Sequence, residues 1–137
     1  NVQEIKQAEE EKKEKEKLEN EEKERLEQER LEEEQNQKIE NATIGEKNAL
    51  DKAKSYLDYT ASSKEGLIEQ LEYEGFTNAE AKFGVDNCGA NWNEQAAKKA
   101  KQYMDYSSFS KQGLIDQLEY EGFTSEQAEY GVKAVGY

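Results

Sequence analysis

The chain has 137 residues, with 32 acidic and 19 basic side chains, no histidine, no proline and one cysteine, for a net charge of −13. Its length suits one ordinary domain, but so acidic a balance opposes nucleic-acid binding, because Lys and Arg contacts to phosphate supply most of such affinity. The lack of histidine excludes imidazole-based catalysis and the common zinc sites, and with Cys88 alone no internal disulfide can form.

Composition divides the chain near residue 44. The first 40 residues hold 25 charged and 7 apolar side chains, whereas the remaining 97 hold 39 apolar ones. Residues 1–44 therefore cannot bury a core and are expected to form a charged spacer, largely helical or disordered. No stretch approaches the roughly 18 consecutive apolar residues of a membrane span, and none has the apolar centre of a signal peptide. The chain as given is expected to be soluble.

The arm is built from Glu, Lys, Arg and Gln, all good helix formers, with no glycine before Gly45. Acid precedes base at i,i+4 in Glu9/Lys13, Glu11/Lys15, Glu19/Lys23, Glu21/Arg25 and Glu34/Lys38, each pair worth roughly 0.2–0.5 kcal/mol to an isolated helix. Leu18, Leu26, Leu31 and Ile39 do not recur at the spacing a coiled coil needs. A solvated, semi-rigid, monomeric helix is expected, with a coiled-coil or partner-binding helix as the alternative.

From there the chain repeats itself. An offset of 47 residues aligns Ala49–Gly89 with Ala96–Gly136 without a gap, and 24 of the 41 positions are identical. Such self-similarity marks one supersecondary unit used twice. Apolar spacing in each copy is helical, so the expected fold is all-α: two tandem three-helix, helix-turn-helix repeats over 45–91 and 92–137. The first helix presents Ala49, Ala53, Tyr56 and Leu57, matched by Ala96, Ala100, Tyr103 and Met104. The second presents Leu67, Ile68 and Leu71, matched by Leu114, Ile115 and Leu118. The third presents Ala81, Gly84, Val85 and Cys88, matched by Ala128, Gly131, Val132 and Val135. A position that holds Cys in one copy and Val in the other is expected to be a small buried hydrophobe.

The tetrapeptide EGFT supplies the corner between second and third helices. Gly75 and Gly122 suit the left-handed residue that ends a helix, Phe76 and Phe123 reach back to Leu71 and Leu118, and Thr77 and Thr124 cap the next helix with Glu80 and Gln127. Ser62 or Ser63, and Ser110, are candidate caps for the second helices. Gly66 and Gly113 suggest a close backbone crossing, and Gly84 and Gly131 a close helix approach. Tyr56, Tyr59 and Tyr73, repeated as Tyr103, Tyr106 and Tyr120, are expected at the edge of the core, with an interface role as the alternative. Trp92, in the Ala90–Asn93 linker, is expected to wedge between the copies, which should pack together because a unit of about 40 residues is marginal alone.

No phosphate loop, nucleophile motif or metal-spaced ligand set is present, so neither an enzyme nor a cofactor is expected. The third helices carry Glu80, Lys82 and Asp86, and Glu126, Glu129 and Lys133, a balance that repels DNA. A basic or amphipathic protein partner suits the acidic body better. The residues expected to meet it are Glu69, Glu72, Tyr73 and Glu74, with Asp116, Glu119, Tyr120 and Glu121.

The repeat body, residues 46–137, with its SKxGLIxQLEYEGFT core and NWNEQA linker, resembles the Ltp family: host cell surface-exposed lipoproteins of Gram-positive bacteria and their temperate phages. That resemblance implies a superinfection-exclusion lipoprotein on the outer face of the cell membrane. It would be held by a lipid anchor upstream of Asn1 and would stop DNA injection by binding the phage tape measure protein or another injected tail protein. The lipid-bearing cysteine and signal peptide of the family pattern are not among these residues. A general surface- or wall-binding lipoprotein module is the alternative the family leaves open.

Overall fold

The structure, a computed structural model, describes residues 1–137 and contains seven α-helices and no strands. They are α1 (Val2–Glu40), α2 (Ile44–Tyr59), α3 (Lys64–Tyr73), α4 (Asn78–Asn87), α5 (Trp92–Tyr106), α6 (Lys111–Tyr120) and α7 (Ser125–Ala134). Two compact units emerge, Asn1–Asn41 and Ala42–Tyr137.

The first unit is one uninterrupted helix of 39 residues, about 58 Å long at ~1.5 Å per residue. Asn1 and Glu4 close a capping box at its start, and Leu18, Leu26 and Leu31 stand exposed along it. The side-chain pairing differs from the five expected pairs. Arg25 lies 3.5 Å from Glu22 and 3.9 Å from Glu29, and Arg30 bridges Glu27 and Glu34, while no lysine of the arm closes an ion pair. A planar guanidinium can be pinned between two carboxylates one turn to either side, whereas a compact ammonium stays hydrated. The Arg30 hydrogen bond draws the Glu27 carboxyl below its usual range and raises the guanidinium in turn.

In the second unit each copy forms its own three-helix bundle. The first copy gathers Ala49, Ala53, Leu67, Leu71, Ala81 and Val85, and the second Ala96, Ala100, Leu114, Leu118, Ala128 and Val132, with Ile115 and Phe123. Burying each of the four leucines stabilises its bundle by about 1.5–3 kcal/mol. The first and third helices touch almost backbone to backbone. A Cβ on Gly84 would fall 2.6 Å from the Ala49 carbonyl carbon, and one on Gly131 2.9 Å from the Ala96 oxygen. Cys88 is half-buried at the end of α4, with its thiol donating to the Val85 carbonyl at 3.1 Å.

The EGFT corners form as expected from the sequence. Gly75 and Gly122 have φ of 102° and 103°. The Phe76 and Phe123 amides donate to the carbonyls of Leu71 (3.2 Å) and Leu118 (3.1 Å), and the glycine amides donate to Glu72 and Glu119, both at 3.0 Å. These are the paired bonds of a Schellman motif. Thr77 and Thr124 then form capping boxes with Glu80 and Gln127.

Two sequence expectations are met in part. Gly66 and Gly113 each donate the backbone amide to the N-cap hydroxyl, Ser63 or Ser110, at 2.9 Å, and a Cβ would fall 2.9 Å from that same oxygen; only Gly66 also lies at a close backbone approach, where a Cβ would fall 3.2 Å from the Glu121 carbonyl oxygen of the second copy. Trp92 is the first residue of α5, behind the N-cap Asn91, rather than a linker residue, and its half-buried ring packs on the core of the first copy, so it wedges between the copies as expected.

The copies join through polar backbone contacts. The Ser63 hydroxyl, while capping α3, donates to the Glu121 carbonyl of the second copy at 2.6 Å. Gln95, buried on α5, accepts the Ser62 amide at 3.2 Å. Gly122 lies so close to this joint that a Cβ there would sit 2.7 Å from the Ser63 Oγ.

Candidate partner-binding surface

The corners that end α3 and α6 position most of the carboxylates expected to contact a partner. Because the Schellman turn fixes the last helical turn, Glu72 can accept from the Asn78 amide at 3.0 Å and Glu119 from the Ser125 hydroxyl at 3.1 Å, tying each second helix to the start of the third. Asp116 accepts from Gln112 at 2.9 Å along α6. Glu69 and Glu72 are exposed on α3, as Asp116 and Glu119 are on α6.

Glu74 and Glu121 have a different setting. Tyr56 donates its hydroxyl to Glu74 at 2.6 Å, and Tyr103 donates to Glu121. Gln70 and Gln117 donate to the same phenol oxygens at 3.3 and 3.1 Å, and Lys52 and Lys99 each sit 5.8 Å from the ring centre. The Glu74 bond is the main reason the Tyr56 phenol is raised above its usual value; for Tyr103 burial comes first and Glu121 second. These two carboxylates therefore fasten the end of the second helix to the first.

Of the six repeated tyrosines, only Tyr56 and Tyr103 pack at the core edge. Tyr59, Tyr73, Tyr106 and Tyr120 are 86–90% exposed, so the core-edge expectation fails for four of the six. Two causes act: Tyr73 and Tyr120, two residues past the buried Leu71 and Leu118, point to the opposite face of the helix, whereas Tyr59 and Tyr106, three past the packed tyrosine, share its face but are the last residues of their helices. Exposed tyrosine rings are enriched where protein surfaces meet partners. No three or more His, Cys, Asp or Glu side chains gather as a metal site, and no helix is long and apolar enough to cross a membrane.

The fold is that of a tandem helical-repeat protein: two three-helix bundles whose second helices carry exposed acids and tyrosines. The chain belongs to the Lipoprotein_Ltp family, described as host cell surface-exposed lipoprotein, whose model matches residues 45–88 and again 91–135. Among solved structures it is similar to "Ltp, a superinfection exclusion protein from the Streptococcus thermophilus temperate phage TP-J34". Sequence identity is 36% and the TM-score 0.64, covering 68% of this chain and 97% of that one. Among curated proteins no sequence matches.

Proposed function

We propose that this chain is a superinfection-exclusion protein of the outer cell surface, which blocks DNA injection by an incoming phage by holding an injected tail component such as the tape measure protein. The reading rests on one observation: both copies share their fold with a superinfection-exclusion protein across nearly the whole of that chain. Acidic residues of the second-helix surface supply the contact, and a basic or amphipathic segment is the chemistry they suit. The charged α1 acts as spacer from a lipid anchor carried upstream.

The test is to express the chain with a lipid anchor in a phage-sensitive Gram-positive host and to measure adsorption and DNA entry separately. Normal adsorption with blocked entry is expected; unhindered entry overturns the proposal. The family description also admits a general surface-binding module, which would bind wall polymer without protecting the cell.

A further inference from the structure

The two copies share much of their sequence and surface, but residues at their joint differ. A cleft of about 390 Å³ opens there, floored by Ile68 and walled by Glu65, Glu69 and Glu72 of α3, with Gly122 and Thr124 of the second copy closing one side. Ile68 packs on its own bundle's core yet stays half-buried, whereas its counterpart Ile115 is only 7% exposed. The wall also changes between copies: Glu65 corresponds to Gln112, and Lys82, at the cleft edge, to Glu129. The other lysine there, Lys64, is paired with Asp86 at 2.9 Å.

We propose that this junction cleft, and not the acidic face repeated on each copy, is the seat of the partner, and that it takes one basic amphipathic helix. Large apolar side chains of that helix rest on Ile68, and the lysines or arginines flanking them meet Glu65, Glu69 and Glu72. A helix laid in a groove is read through such an apolar anchor with charges to either side, and three carboxylates against one unpaired lysine fit a cationic occupant. Because residues of both copies form the walls, the cleft exists once per chain and binding is one to one. The inference rests on the proposed function only for the identity of the partner, not for the chemistry of the cleft.

The full chain, labelled with ¹⁵N, is titrated with a synthetic helical peptide of repeated Leu-Lys-Lys-Leu units, with a Leu-Glu-Glu-Leu peptide as control. Amide shifts confined to residues 64–72 and 121–127, saturating at one peptide per chain, are expected with the basic peptide alone. The paired change Glu69→Lys with Glu72→Lys should weaken binding about tenfold, and the equivalent Asp116→Lys with Glu119→Lys should change it by less than about threefold. All four positions are exposed, and each pair removes one equivalent hydrogen bond, Asn78 to Glu72 or Ser125 to Glu119, so that structural cost is matched between the two. Equal losses from both pairs, shifts spread over both copies, two peptides per chain, or no binding by the basic peptide would each overturn the inference. Protection from infection is scored separately with the anchored wild type. A chain that binds the peptide in the cleft yet fails to protect removes the exclusion reading and leaves the cleft standing.

Discussion

Ser63 and Ser110 occupy the same place in the two copies, yet their surroundings differ. Both cap a helix by accepting the amide three residues on, but only Ser63 also donates across the joint, to the Glu121 carbonyl. Ser110→Ala should cost about 1 kcal/mol as a lost cap. Ser63→Ala should cost about 1 kcal/mol more, since it also removes a partner from a carbonyl at the joint; urea denaturation of the two variants checks the difference. Glycine offers a second internal comparison. Gly75→Ala meets open space and suffers only from its φ of 102°, whereas Gly122→Ala at φ 103° also drives a Cβ to 2.7 Å from Ser63. The first should lose about 1 kcal/mol, and the second should melt at a distinctly lower temperature. Gly84→Ala, aimed at the Ala49 backbone, should cost about 1–3 kcal/mol as overpacking.

At the scale of the element, the phenols of Tyr56 and Tyr103 couple the first helix of each bundle to the second, and they do so only while protonated. Both are raised above their usual value near 10, so the folded state favours the neutral phenol. That stabilisation is complete below pH about 10 and is lost as pH rises through the raised values. Thermal midpoints should therefore be flat over this titration's approach from neutrality and fall above pH about 10, and Tyr103→Phe should make the fall shallower. For α1, a peptide of residues 1–41 should be substantially helical by circular dichroism at low salt and lose helix as salt screens its arginine pairs. What could be read from the sequence at this scale follows the range of the interaction. The EGFT corner, the capping boxes and the Gly84 and Gly131 approach depend on residues whose spacing or duplication is visible in the chain, and they were legible. Trp92 was legible as a wedge between the copies but not as the first residue of α5, because the residue that packs across the joint also opens the helix behind the Asn91 cap. The exposed tyrosines were misread because Tyr59 and Tyr106 stand at helix ends, beyond the core their face would otherwise meet, while Tyr73 and Tyr120 lie opposite the buried leucines. The cleft was not legible: its wall differs between the copies at Glu65/Gln112 and Lys82/Glu129, but nothing in the repeat says that these residues face the other bundle, and Ile68 and Ile115 are the same residue in the same motif.

For the whole molecule, the duplication supplies both the stability and the joint. If the acidic second helices hold the injected tail component, reversing Glu69, Glu72, Asp116 and Glu119 together should restore DNA entry in a protected host, as measured by entry of labelled phage DNA. Protection that survives all four changes would place the contact elsewhere. The local character of the bundles has one more consequence. Helices of one copy touch chiefly each other, α2 with α3 and α4, and α5 with α6 and α7, and the chain has neither proline nor a disulfide to form. Short loops of this kind close quickly and place such a chain among fast folders, with no slow isomerisation or oxidation step to wait for. A polypeptide that reaches the outside of a membrane unfolded, beyond cytoplasmic chaperones, could thus become competent within moments of arrival.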